Sequence, residues 1–124
     1  MLVKINEYFS GDMICCSNTL GKLTVRWIGS KPILNSEYDV ELDIEKTLVW
    51  GKDIILSKTV KHFIMTEKAL TVLNGVLESV DADGYAILRV GNSIVPFMSE
   101  GTAFEIGSII KIKVNYITVS PITY

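Results

Sequence analysis

Five acidic residues at alternating positions are the feature of this sequence with the most evident chemistry. Glu37, Asp39, Glu41, Asp43 and Glu45 lie within one stretch that contains no basic residue, and the residues between them are Tyr38, Val40, Leu42 and Ile44. This strict period of two predicts a half-buried strand with its carboxylates on the outer face. Alternate side chains on one face of a strand lie roughly 7 Å apart, so these like charges repel unless a cation or a basic neighbour offsets them.

Three interpretations of the acidic stretch remain open. A charged outer face can serve only to keep a strand from pairing with other chains. It can also attract and dock a basic protein, because a concentrated negative surface steers cationic partners. A divalent-metal site is the third interpretation, but a straight strand splays its carboxylates and the sequence has no glycine-containing calcium loop. We therefore expect no metal and no cofactor.

The few nucleophilic and basic side chains argue against catalysis. His62 is the single histidine, and no Gly-x-Ser-x-Gly elbow or phosphate-binding glycine loop occurs. We expect His62 to be exposed or to cap a backbone group. Cys15 and Cys16 are adjacent, so in a strand they point to opposite faces and form an ordinary disulfide poorly. Two reduced thiols, one in the core and one outside, are expected, with a vicinal disulfide that senses redox state as the alternative.

Composition and charge indicate an ordinary globular chain. The 124 residues are 48% hydrophobic and 21% charged, with a net charge of −2, which argues against a dedicated duplex-DNA binder. Residues 37–45 alone carry −5, so the rest of the chain carries +3. No secretory signal begins the sequence, and no apolar run approaches the roughly 18 residues of a membrane helix. We expect a cytoplasmic protein that does not contact membranes.

Alternating hydrophobicity predicts strands along most of the chain. About nine short antiparallel strands indicate an all-β fold, either a small barrel or a sandwich. The prolines Pro32, Pro96 and Pro121 are expected where strands begin or end. Only residues 66–73 offer a turn or two of helix, and Thr71 and Val72 favour a strand there as well. The predicted strands span residues 2–5, 12–16, 23–28, 37–45, 48–50 with 54–57, 62–65, 70–80, 84–90, 93–97 and 111–116, with Ile112, Val114 and Tyr116 of the last one facing inward.

Two stretches of the sequence resemble each other and suggest an internal duplication. The step from Gly21 to Arg26 matches the step from Gly84 to Arg89, and each stretch ends in an alternating strand. Glycine and proline at the turns of unrelated β-hairpins can give the same spacing by convergence. We expect one compact domain over residues 1–124, with a subdivision into β-modules at residues 1–60 and 70–124 if the duplication is real.

The second stretch also resembles the OB-fold domains that bind RNA. Residues 74–91 look like the opening hairpin of such a barrel, residues 93–100 like its third strand with a Val-Pro…Ser-Glu segment, and residues 106–117 like the strand that follows its Val/Ile-Gly-Asp turn. The resemblance covers residues 74–117 and implies an OB-like barrel in the C-terminal half. It also implies that exposed aromatic side chains stack bases. On this alternative, single-stranded nucleic acid binds to Tyr85, Arg89, Phe97, Lys111 and Lys113.

The leading prediction is a non-enzymatic protein-binding module. A small acidic β-domain with a concentrated anionic strand is similar in profile to bacterial immunity proteins, including those of contact-dependent growth inhibition. That resemblance implies neutralisation of a cognate, often basic, toxin by covering its active site. The expected contacts are the five carboxylates of residues 37–45 together with Trp50, although Trp27 and Trp50 are also expected in the core. A subunit of a larger β-assembly is a third prediction.

Overall fold

Every regular element of the protein is a β-strand in the residues that the structure, a computed structural model, describes: 1–115 and 117–122. The expected all-β fold is therefore confirmed. The strands are β1 (Leu2–Tyr8), β2 (Met13–Asn18), β3 (Gly21–Trp27), β4 (Glu37–Asp43), β5 (Leu48–Val49), β6 (Ile54–Leu56), β7 (Phe63–Glu67), β8 (Leu70–Val80), β9 (Tyr85–Val90), β10 (Ser93–Glu100), β11 (Ile109–Val114) and β12 (Thr118–Pro121). The expected position of Tyr116 lies outside the described residues.

Five strands form a closed barrel in the order β1-β2-β3-β12-β4. Neighbouring strands are antiparallel except β3 and β12, which run parallel where Thr118 pairs with Arg26 and Val119 with Trp27. Alternation of the side chains turns Val25, Leu42 and Val119 into the barrel interior. The last strand to join this barrel comes from the far end of the described chain.

The remaining strands form a second sheet in the order β5-β10-β9-β8-β11-β6, with β7 paired along the first half of β8. Its outermost strands, β5 and β6, are consecutive in the chain and are separated by residues 50–53 alone. The two edges of the sheet must therefore lie close together, which curls the sheet into a barrel-like shape. Leu77, Leu88 and Ile112 fill its interior.

The two sheets repeat the same hydrogen-bonding pattern at a constant interval. Ile5 pairs with Cys16 before a bulge in β1, and Leu77 pairs with Leu88 before a bulge in β8, each residue lying 72 positions after its counterpart. The backbone N–H of Ile5 donates to Ser36 O, and that of Leu77 donates to Ser108 O, again 72 positions later, both at 2.9 Å. Strands β1 to β4 therefore correspond to β8 to β11.

Each sheet is completed by strands from the other half of the chain, the first barrel by β12 and the second sheet by β5 and β6. In the first barrel, β12 pairs in parallel with β3 and antiparallel with β4. In the second sheet, β5 pairs in parallel with β10, and β6 pairs antiparallel with β11. The chain thus leaves the first barrel after β4, completes the second sheet first, and returns to close the first barrel. The proposed module boundary between residues 60 and 70 stays a prediction. In each of these pairings, one strand lies before that boundary in the chain and the other lies after it.

Three details of the sequence prediction are wrong. Gly21 and Arg26 correspond by strand pairing to Ser93 and Met98, so the match with Gly84 and Arg89 is one strand out of step. Pro96 lies inside β10 rather than at its end; it is accommodated because β10 pairs with β5 only at residues 99–100. Residues 66–73 form the β7–β8 hairpin, so the strand that Thr71 and Val72 favour is confirmed and the alternative of a helical turn is wrong.

The exchange of strands between the two sheets predicts that neither half of the chain folds alone. Of the fragments 1–58 and 59–124, cut in the loop after β6, the first lacks β12 of the first barrel, and the second lacks β5 and β6 of the second sheet. We expect each to show no cooperative unfolding, and an equimolar mixture to recover it, as measured by circular dichroism against urea. In fragment 1–58, Leu48→Asp should abolish recovery because Leu48 is fully buried, whereas Thr47→Asp, at an exposed neighbour, should preserve it. Cooperative unfolding of fragment 59–124 alone would contradict the requirement for β5 and β6.

The two cysteines predict unequal thiol reactivity. Cys16 is buried in the first barrel, Cys15 is half-buried, and neither forms a disulfide. Burial, with a smaller effect of Cys15, raises the pKa of the Cys16 thiol from 9.0 to about 12. A folded pKa above the unfolded one gives stability that is complete below pH 9 and is lost as the pH rises toward 12.

At neutral pH, a thiol reagent such as DTNB should therefore modify one residue per native chain and a second only on unfolding. Cys15→Ser should remove the native reaction, and Cys16→Ser should preserve it. Equal rates for both thiols in the native protein would be inconsistent with the burial of Cys16.

Candidate functional site

The acidic face comprises the outward side chains of β4, Glu37, Asp39, Glu41 and Asp43, with Glu45 just beyond the strand. Val40 and Leu42 between them are buried, as the alternating pattern predicts. Because β4 is hydrogen-bonded to β1 on one side and to β12 on the other, its backbone has a partner strand at both edges. The carboxylates are therefore held on a rigid surface, and protecting a free strand edge does not account for them.

Two of these carboxylates have partners in the structure. Asp39 Oδ1 lies 3.0 Å from the amine nitrogen of Met1. Glu45 Oε1 accepts a hydrogen bond of 3.2 Å from the Thr118 hydroxyl. Among the described residues, no basic side chain forms an ion pair with Glu37, Glu41 or Asp43, although register places Lys4 opposite Glu37. Three exposed negative charges of the acidic face are thus available to a cation from outside.

Apolar side chains adjoin the acidic face on both sides. Leu2, directly across from Asp39 on β1, is 55% exposed. On the other side, a groove of about 430 Å³ is lined by Glu41 together with Ile94 and Pro96 of β10. Ile94 is 58% exposed. Charge flanked by exposed aliphatic surface is a combination that protein interfaces use, because apolar anchors supply affinity and charges supply orientation.

The repeat shows that the fold itself does not require acidic residues here. By strand pairing, Asp39 corresponds to Lys111 and Glu41 to Lys113, on the equivalent strand β11. The same position in the same architecture therefore carries opposite charges in the two halves of the chain. The acidic face is consequently a property of the first barrel's surface rather than of its folding.

Trp50, which the sequence predicts as a partner contact, lies in the core. Its side chain is only 8% exposed, and its ring packs edge-on against Phe104 at 5.1 Å between centroids. Phe97 lies 6.2 Å away on another side. The expectation of a core tryptophan is met, and Trp50 is not part of the acidic face.

The five residues of the nucleic-acid alternative do not form one open surface. Phe97 is 2% exposed, so its ring is unavailable for stacking. Arg89 forms an ion pair with Glu78. Register places Lys113 beside Val72 and Tyr85 just beyond Val80, at opposite ends of β8, which corresponds to a separation of roughly 26 Å. On β11, Lys111 is half-buried and Lys113 is exposed, and Tyr85 is exposed but distant from both.

His62 has a structural hydrogen bond rather than a catalytic neighbour. Its Nδ1 accepts a hydrogen bond of 2.7 Å from the backbone N–H of Gly91. Among residues 1–115 and 117–122, no three potential metal ligands are grouped together, and no helix is long and apolar enough to cross a membrane. The capping role expected for His62 therefore agrees with its contact.

No protein-family model matches the sequence, and no curated protein or solved structure matches it either.

Sequence reasoning identified the carboxylates but missed their apolar surroundings. Leu2 is easily overlooked, because in the sequence it is one more residue of an alternating strand. Ile94 is distant along the chain and reaches the acidic face only because the second sheet packs beside β4. An apolar residue at an outward position of a strand is the signal that was available for Leu2, given the inward positions of Val3 and Ile5.

The crowding of like charges predicts that removing one stabilises the fold. Glu41→Gln takes away the charge between Asp39 and Asp43, so we expect the thermal midpoint to rise by about 1–2 °C at low salt. In about 1 M salt, where screening acts over roughly 3 Å, the gain should disappear. Glu67→Gln, at an exposed acid of β7, serves as the control and should have a smaller effect. A loss of stability in Glu41→Gln would show that Glu41 has a stabilising partner.

Proposed function

We propose that this chain acts by binding rather than by catalysis, and that its acidic face docks a basic protein. The observation that carries the proposal is the exposure of Glu37, Glu41 and Asp43 on a rigid strand without ion pairs among the described residues. Unpaired surface charge of one sign costs stability, and proteins accept such costs where function needs them. A positively charged partner removes the repulsion when it binds.

The distribution of charge favours a partner attracted from a distance. A concentrated negative surface raises the rate of encounter with cations, an effect that falls with ionic strength. The exposed side chains of Leu2 and Ile94, beside the carboxylates, offer the apolar contacts that slow dissociation. The two sets of residues together support a specific complex rather than a passing electrostatic encounter.

Within this class of function, we propose an inhibitor of the immunity type that neutralises a basic toxin in the cytoplasm. Support comes from the similarity in profile already noted: a small β-domain with a concentrated anionic strand. Covering the toxin's active site requires a rigid surface, which β4 offers through its pairing with β1 and β12. The resemblance to OB-fold barrels is retained as a proposal as well, since residues 74–117 contain the hairpin and the two strands that it implies.

The double variant Glu41→Lys with Asp43→Lys tests the proposal. Proteins retained from the source cells by the immobilised chain provide the partner, and its association is then measured by interferometry across a range of salt concentrations. We expect the double variant to lower the association rate constant about tenfold or more at low salt and to flatten its salt dependence. Growth of cells that express the partner should be restored by the native chain and not by the variant.

A charge-matched control separates the acidic face from net charge. Glu67→Lys with Glu105→Lys makes the same change at exposed positions away from β4, and should leave association nearly unchanged. Equal effects of the two double variants would refute docking on the acidic face. Salt-sensitive micromolar binding of short RNA or DNA in fluorescence anisotropy, lost in Lys111→Glu with Lys113→Glu, would instead favour the nucleic-acid alternative.

A further inference from the structure

We propose that the loop end of the first barrel carries a second binding site, for a protein segment in which an apolar side chain lies next to a carboxylate. This end, termed the apical site, comprises the β1–β2 turn at residues 9–12 and the β3–β4 loop at residues 28–36. It is built from residues outside the acidic face, and the proposal is independent of the function proposed above.

The β3–β4 loop is held in one conformation by aromatic side chains. Three hydrogen bonds run from Tyr8 Oη to the Pro32 carbonyl (2.6 Å), from Trp27 Nε1 to the Ser30 carbonyl (3.0 Å), and from the Ile33 N–H to Tyr38 Oη (2.9 Å). The rings of Trp27 and Tyr38 also pack edge-on at 5.3 Å between centroids. A loop fixed in this way loses little conformational freedom when it binds, which favours affinity.

The held loop exposes large apolar side chains that the fold does not demand. Ile33 is 66% exposed, and Phe9 and Ile28 are also exposed. The positions 72 residues later have the same backbone hydrogen bonds: Phe9 N donates to Met13 O and Asp81 N to Tyr85 O, both at 2.9 Å. At these corresponding positions, the second sheet has acidic residues in place of the three apolar ones, namely Asp81, Glu100 and Glu105. The same turn geometry is thus compatible with charged residues. The exposed apolar residues of the first barrel are therefore not required by the turn, and they favour a contact with a binding partner.

A cavity at the apical site has the size of a single side chain. It measures about 250 Å³, and its lining includes Tyr8, Phe9, Trp27 and Pro32. Pockets for whole small molecules are larger, roughly 300–1,000 Å³. Aromatic walls of this kind suit one aliphatic or aromatic side chain of a partner, which would pack against Tyr8 and Phe9, with buried Trp27 behind them.

Lys31 determines the charge of the segment that fits. Its Nζ lies 4.0 Å from the centroid of the Tyr8 ring, and Lys31 has no ion pair among the described residues. The acid in the lining, Asp12, lies 3.7 Å from Arg26 Nε, which offsets its charge. An arriving carboxylate therefore meets an uncompensated cation at the rim of an apolar cavity, whereas an arriving cation meets repulsion.

Titration of the intact chain with two short peptides tests this site. Acetyl-Glu-Ile-Phe-Glu-amide is the acidic probe, and acetyl-Lys-Ile-Phe-Lys-amide is the probe with reversed charge. The readout is the indole N–H resonance of Trp27 in a ¹H–¹⁵N correlation spectrum, with the indole of Trp50, which lies outside the lining of the cavity, as the internal control. We expect the acidic peptide to shift the Trp27 resonance saturably, the basic peptide to bind at least about tenfold more weakly, and Trp50 to be unaffected.

Substitutions at Lys31 complete the test. Lys31→Met keeps an apolar stem against Tyr8 and should weaken binding of the acidic peptide, and Lys31→Glu should reverse the preference between the peptides. Lys58→Glu, at an exposed lysine of another loop, should change neither. The proposal is overturned if Trp27 does not respond at millimolar peptide, or if both peptides bind equally. Broadening of Trp27 that depends on protein concentration without peptide would assign the site to a second copy of the chain and would also overturn it.

Discussion

Backbone pairing between β3 and β12 is the interaction on which the first barrel depends. These two strands run parallel, and the hydrogen bonds from the Arg26 N–H to the Ile117 carbonyl and from the Ile28 N–H to the Val119 carbonyl, both 2.9 Å, close a cylinder that is otherwise open on one side. The second sheet has the same requirement and meets it with β5 against β10. Since each closing strand belongs to the opposite half of the chain, the two cores stabilise each other, and the surfaces on one barrel are rigid only while the other is intact.

The internal repeat separates what the fold needs from what the surface offers. Residues 72 positions apart have matching hydrogen bonds at Ile5 and Leu77, yet their outward neighbours have diverged completely. Where β4 has carboxylates, the equivalent positions of β11 have lysines. Where the loop end of the first barrel has apolar residues, the equivalent positions of the second sheet have acids. Closing a barrel constrains inward positions and turn geometry, whereas outward positions are free to acquire binding chemistry. Both proposed surfaces lie at such free positions of the first barrel.

Much of the architecture could be predicted from sequence, because alternation of polar and apolar residues reports directly on strands. The acidic strand and the hairpin from β8 to β9 followed from this pattern. The two strands of the β7–β8 hairpin followed as well, but its turn did not, because it uses Lys68 and Ala69 at positive φ, where the usual signal is Asn-Gly. The exchange of strands between the two sheets could not be predicted from the sequence either. Strands β5 and β12 are short, and the alternation of residues within a strand does not indicate which strand it pairs with. The burial of Trp50 and Phe97 and the proximity of Ile94 to Glu41 depend on that exchange, which is why the candidate sites were only partly recognised.

The return of the chain to its first barrel has a consequence for biosynthesis. The ribosome makes β1 to β4 early, but Thr118 follows Asp43 by 75 positions, which at about 5–20 residues per second corresponds to roughly 4–15 seconds of translation. During that interval, the edge of β3 and the apolar interior behind it have no partner strand. The nascent first half must therefore remain unfinished, and open to chaperones or to misdirected pairing, until β12 emerges.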